Sequence, residues 1–329
     1  MAGRFLVTGG AGFVGGHMVL ALRDRGEEVV VLDNLATGHR ASVPGGVRLI
    51  EADLGDIPGL DRVLADGPWT AVFHFAAMTQ VGESMKMPMR YLLENAANGM
   101  KLIDACARHG VDRMVISSTA ALFNATDDRP IPEDAPIDPQ SPYGDSKHML
   151  ERALHWGFVA HGLRSARLRY FNAAGADPAG RLGEDHRPES HLIPLVIDAA
   201  LGRRPPLEVY GDDYPTPDGT CIRDYVHVTD LAAAHLLALA RLDDEPEVTW
   251  NLGCGTGHSV LAVIQAVERV SGRTVPYRMA PRRAGDAAVL VAASDRARAA
   301  GWRPMHEALD DIVRTALVWR EAHPGGHGD

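Results

Sequence analysis

Only three cysteines occur in 329 residues, and Cys106, Cys221 and Cys254 are widely spaced. An odd, scattered set forms no disulfide framework and no pair of zinc ligands, and it predicts a reducing compartment. Positive charge is also scarce: 33 Lys and Arg stand against 43 Asp and Glu, a net charge of −10. A surface of that sign does not neutralise a phosphate backbone, which excludes a nucleic-acid partner. Arg203-Arg204 and Arg282-Arg283 are local exceptions, suited to a small anion. Long apolar runs are missing too. The longest helical one, Leu231 to Ala240, is too short to span a bilayer. The chain enters a strand at once, with no charged-then-apolar leader, and a cytoplasmic protein is expected. His306-Glu307 lacks the second His of a zinc-protease helix and the other His are scattered, so no metal is expected. His323-Pro324-Gly325-Gly326-His327 reads as a loose tail.

What is present begins with Arg4-Phe5-Leu6-Val7-Thr8, a short apolar run that predicts a buried strand. Gly9-Gly10-Ala11-Gly12-Phe13-Val14-Gly15-Gly16-His17 follows, then a helical pattern from Met18 to Arg25 and a second strand ending at Asp33. Strand, glycine turn, helix, strand and acid in this order predict a dinucleotide site. Gly9 permits a tight turn, Gly12 lets backbone approach a pyrophosphate, and Gly15 lets helix and strand pack closely. The free N–H groups and positive dipole end of the helix face the phosphates. Asp33 accepts hydrogen bonds from ribose hydroxyls and repels a 2′-phosphate, and the nearest Arg is Arg40, so NAD is favoured over NADP.

Strands and helices alternate to about residue 175, with candidate strands at 47–50, 71–75, 114–117 and 165–169. That alternation predicts an α/β fold, a doubly wound parallel sheet with helices on both faces. Beyond Gly175 a series of prolines from Pro178 to Pro217 breaks the chain into shorter pieces, as in a smaller C-terminal substrate-binding lobe. Two lobes suit a chain of 329 residues. The expected division is a cofactor domain over 1–175 and a substrate domain over 176–329, with a segment near 225–255 returning to the main sheet.

Ser141-Pro142-Tyr143-Gly144-Asp145-Ser146-Lys147 carries the chemistry. Ser141 suits a helix cap and Pro142 the first helical position, so Tyr143 and Lys147 lie a turn apart on one face. Lowering a phenol pKa from about 10 to about 7 takes roughly 4 kcal/mol. One positive charge at about 4 Å in a partly dry cleft supplies about that much. Tyr143 is therefore a candidate base for an alcohol. Thr119 follows the strand at 114–117 and belongs at the carboxyl end of the sheet, where such folds bind ligands.

The Gly-x-x-Gly-x-x-Gly spacing with Tyr143 and Lys147 resembles the extended short-chain dehydrogenase/reductase superfamily. Asp33-Asn34-Leu35, His74-Phe75-Ala76-Ala77, Val81-Gly82-Glu83-Ser84, Leu168-Arg169-Tyr170-Phe171-Asn172, Asp218-Gly219-Thr220-Cys221-Ile222-Arg223-Asp224-Tyr225 and Arg282-Arg283-Ala284-Gly285-Asp286 narrow it. In order and identity these resemble the UDP-glucose 4-epimerase family over nearly the whole chain. The resemblance implies catalysis by Tyr143, Lys147 and Thr119, and a homodimer formed through helices near 90–108 and 145–161. It implies NAD contacts from Gly9, Gly12, Phe13, Val14, Gly15, Asp33, Asn34, Leu35, Thr37, Gly38, Asp53, Leu54, Phe75, Ala76, Ala77, Thr79, Asn95 and Phe171, with the catalytic three. A UDP-hexose is implied at Asn172, His191, Leu192, Tyr210, Arg223, Arg283, Asp286 and Leu290, with Thr119 and Tyr143. Ala120 and Ala121 stand where the related dehydratases carry an acid pair, which argues against water elimination. Thr79 replaces a Lys, Glu94 and His191 each replace an Asn, and Leu122-Phe123-Asn124 replaces Val-Tyr-Gly. Leu290, at a gate that a bulky Tyr closes to N-acetyl groups, is intermediate in size. Other UDP-sugar 4-epimerases, acting on UDP-N-acetylglucosamine or UDP-xylose, and a non-catalytic NAD sensor are the alternatives.

Overall fold

The structure, a computed structural model, describes residues 2–124, 128–283 and 286–328. Ala284 and Gly285 of the Arg-Arg-Ala-Gly-Asp motif lie outside the described residues. Strand Arg4–Thr8 is apolar on both sides because both sides are covered. Phe5 and Val7 face one core with Val31, Phe73 and Val115, whereas Leu6 faces another with Val30, Val72 and Ile116. The strands expected at 47–50, 71–75, 114–117 and 165–169 form as Arg48–Glu51, Ala71–His74, Arg113–Thr119 and Arg164–Tyr170.

Seven parallel strands make the main sheet, in the order 247–252, 164–170, 113–119, 71–74, 4–8, 28–33, 48–51. Chain order reverses at Arg4–Thr8, so a crevice opens beyond its carboxyl end, between Thr8 and His74. Helices Phe13–Asp24 and Val228–Arg241 cover the first face, and Asn98–Arg108 and Pro142–His161 the second. Late segments thus complete the sheet that the early ones begin.

The first helix starts at Phe13, five residues before the expected Met18. Gly15 and Gly16 read as turn residues, yet they are helical, and glycine stands there because each lies where a side chain has no room. A Cβ on Gly15 would lie 2.1 Å from the Gly9 carbonyl oxygen, and one on Gly16 2.7 Å from Leu182.

Past residue 175, helices Leu192–Ala200, Val260–Ser271 and Leu309–Ala322 pack around a third apolar core with Leu207, Val209 and Tyr225. Strand Ile222–His227 pairs with 172–174, 257–259 and 289–290 in a small mixed sheet. The tail is not loose. His323 stacks on Trp319 at 4.8 Å, the His327 N–H donates to Asp185 Oδ2 at 2.9 Å, and Arg187 donates to the Gly325 carbonyl at 3.1 Å. No helix among the described residues is long and apolar enough to cross a membrane.

Candidate active site

The glycine turn sits at the crevice. Gly9 has φ +72°, and its N–H donates to the Leu32 carbonyl at 2.9 Å. A Cβ there would strike the Ala76 nitrogen at 2.4 Å, and one on Gly38 would lie 2.9 Å from Ala11 backbone. Gly12 differs, because its missing Cβ would meet nothing nearer than 3.4 Å. Protein packing does not demand glycine at that position; an approaching ligand does. A dinucleotide phosphate fits this cradle, at the N-terminus of Phe13–Asp24.

Asp33 is buried, and its two oxygens accept from the N–H groups of Ala11 and Leu35, each at 2.9 Å. Burial raises its pKa and these two hydrogen bonds pull it back down. Each carboxylate oxygen keeps a lone pair for a ribose hydroxyl. Leu35, at φ +56°, turns the chain toward a cavity of about 440 Å³ lined by Ala36, Thr37, Gly38, His39, Arg40 and Arg187. Arg40 pairs with Glu51. Asn34 donates to Asp53 at 2.8 Å, with buried Leu54 alongside. Asn95 accepts from the Met78 N–H at 2.8 Å and donates to the Met78 carbonyl at 2.9 Å, holding the chain that follows Phe75, Ala76 and Ala77. Thr79 in that stretch is exposed, and Phe13 and Val14 open the helix.

Ser141 caps helix Pro142–His161 by accepting from the Gly144 N–H at 3.2 Å. Tyr143 and Lys147 consequently face the sheet, and Lys147 is 1% exposed. Its Nζ donates to the Ser117 carbonyl at 2.9 Å. Burial lowers the Lys147 pKa to about 8, and Glu151 one turn on pulls it back up. Thr119 is buried at the carboxyl end of its strand and hydrogen-bonds Tyr143.

One expectation is not met in this arrangement. The Tyr143 pKa is raised by burial, and only the Thr119 hydrogen bond opposes that. The Lys147 ammonium is turned to a backbone carbonyl rather than to the phenol. Beneath the pair, Tyr170 donates to Ser117 Oγ at 2.5 Å, and His74 bonds Thr8 Oγ1 at 2.7 Å. His74 is held neutral, its pKa lowered to about 3 by burial and then by the Lys147 charge.

The second lobe brings Asn172 to the Asp224 carbonyl at 2.9 Å and Arg223 to the Ala287 carbonyl at 2.9 Å, with Asp286 3.7 Å from its other nitrogen. The Arg283 guanidinium lies 3.9 Å over the Tyr210 ring. The two rest on each other because a cation on an aromatic face satisfies both. Leu290 and Phe171 pack on one apolar patch with Leu122 and Phe123. His191 precedes Leu192 at the start of Leu192–Ala200. It also gathers with Glu184, His186 and Glu189, a grouping the sequence reading missed. The signal was a Glu-x-His-x-x-Glu-x-His spacing inside a proline-broken segment.

Fold and site together define a dinucleotide-binding α/β protein with a Tyr–Lys pair beside the cofactor cradle. A family model described as NAD dependent epimerase/dehydratase matches residues 5–253, and the chain belongs to that family. It is 50% identical to a UDP-glucose 4-epimerase of Azospirillum brasilense, over 97% of this chain and 92% of that one. The crystal structure of UDP-glucose 4-epimerase from Brucella ovis in complex with NAD superposes with a TM-score of 0.93 at 44% identity, covering 96% and 98%. That from Bifidobacterium longum in complex with NAD+ and UDP gives 0.93 at 36%, covering 98% and 99%.

Proposed function

We propose that the chain interconverts UDP-galactose and UDP-glucose by transient oxidation at C4 of the hexose. The observation that carries this is one buried face on which Thr119, Tyr143 and Lys147 meet at the carboxyl end of the sheet, beside the glycine turn. Full-length similarity to several UDP-glucose 4-epimerases supports it.

Bound NAD supplies a positively charged hydride acceptor and afterwards the hydride donor. Gly12 leaves room for its phosphates on the turn that Gly9 and Gly15 allow to close, Asp33 takes the adenosine ribose, and Phe75 to Thr79 with Asn95 and Phe171 flank the cleft. Tyr143 Oη removes the C4 hydroxyl proton as C4 is oxidised and returns a proton when it is reduced. Thr119 aligns the same oxygen. Lys147 brings positive charge that favours the phenolate, and positive charge entering with the cofactor offsets the burial that keeps the phenol protonated. Arg223, Arg283 and Asp286 grip the UDP, with Asn172, His191, Leu192 and Tyr210 beside them. Hexose contacts are fewer and apolar, at Leu290, so the oxidised sugar is free to present its other face.

The working form is proposed to be a homodimer. Met89 and Leu93 are 63% and 62% exposed, and Trp156 and Val159 are 59% and 58% exposed. A second copy covers such a patch. Purified protein without added reductant is expected to bring either UDP-sugar to the same mixture. If neither is converted while bound NAD is present, the reading fails.

A further inference from the structure

Between the cofactor lobe and helix Leu192–Ala200, four side chains that could hold a cation converge. One ligand atom from each of Glu184, His186, Glu189 and His191 lies within 4.8 Å of all the others. His186 Nδ1 is 3.3 Å from Glu184 Oε1 and 3.5 Å from Glu189 Oε1, and His191 Nδ1 touches Glu184 Oε1. The two imidazoles stand edge to face, 4.9 Å apart.

Hydrogen bonding does not exhaust this group. The Glu189 side chain is only 9% exposed, and its Oε2 is buried with no hydrogen-bond partner, while the buried His186 Nδ1 meets its two carboxylates only at long range. Leaving an atom such as Glu189 Oε2 unpaired in a protein interior costs about 1–3 kcal/mol. A cation at the centre takes a lone pair from each of the four and removes that cost.

We infer that these residues form a closed zinc site. Two imidazole nitrogens and two carboxylate oxygens suit tetrahedral zinc, whereas calcium and magnesium ask for oxygen alone. With four protein ligands no position is left for a reacting water, so the ion holds structure. What it holds is specific. The His186 ring meets Phe13 of the cofactor turn edge to face at 6.4 Å, Leu182 packs on Gly16, and His191 leads into Leu192–Ala200. The ion therefore ties the cofactor cradle to the substrate lobe.

The test uses the untagged full chain, stripped with a chelator and equilibrated with zinc. Metal analysis is expected to find about one zinc per chain, and Co(II) in its place to give the visible absorption of a tetrahedral nitrogen–oxygen site. The double variant His186→Ala/Glu189→Gln is expected to bind zinc at least about tenfold more weakly. His323→Ala/His327→Ala, which removes the tail imidazoles, is expected to bind as wild type does. No zinc in wild type, unchanged binding in the first variant, or loss in the tail variant overturns the inference. If the first variant does not fold, the wild-type Co(II) spectrum decides: an octahedral or sulfur-ligated spectrum contradicts the site. Metal content is read independently of epimerase activity.

Discussion

Lys147 points its ammonium at a backbone carbonyl, and the phenol beside it is pushed toward its neutral form. In this arrangement the Thr119 hydrogen bond is what opposes that push. Thr119→Val is therefore expected to move the acid limb of the kcat/KM profile to higher pH and cut kcat by about tenfold to a hundredfold. A profile left in place would show that Thr119 does not act on the phenol. The apolar patch around Leu290 makes a second prediction at this scale. Leu290→Tyr is expected to reduce turnover of an N-acetylated UDP-sugar pair by roughly tenfold relative to the galactose–glucose pair. Equal effects on both pairs would remove Leu290 as a gate.

At the scale of the element, helix Pro142–His161 matters most. Its cap, its proline and the spacing of Tyr143, Lys147 and Glu151 are all local, and they were legible in the sequence. So were the glycine turn and Asp33, because strand, turn and helix are neighbours in the chain. What the helix is fastened to was not legible. Glu151 pairs with Arg169 at 2.6 Å, each side chain 6% exposed, and accepts from Ser118 at 2.5 Å. These partners come from two other strands. The contacts of Arg283 with Tyr210, of the tail with Asp185, and of Glu184 with His191 escaped for the same reason, since each depends on how the chain closes in space. Glu151→Ala leaves Arg169 buried without its counter-charge and is expected to cost about 3–5 kcal/mol in urea unfolding. A loss below about 1 kcal/mol would show that the pair does not fasten the helix.

For the whole molecule, burial pushes the pKa of four histidines down to about 4 or 3. The folded-state pKa is about 4 for His17 and His235, and about 3 for His74 and His227. Each lies below the ordinary value near 6.5, so between the two the unfolded chain binds more protons. Stability is then full above pH 6.5 and falls as pH drops, by up to about 2 kcal/mol per histidine at pH 5. His235→Leu is expected to shrink the loss between pH 7 and pH 5 by about that amount in urea titrations; an unchanged loss would mean that His235 is already protonated when folded. The central claim, however, concerns the phenol in the cleft. Tyr143→Phe, purified with its NAD and given UDP-galactose, tests it most directly by turnover and by the absorbance of reduced cofactor. We predict a kcat at least about 10³-fold lower, with NAD still bound. Turnover within about tenfold of wild type would contradict Tyr143 as the group that moves the proton.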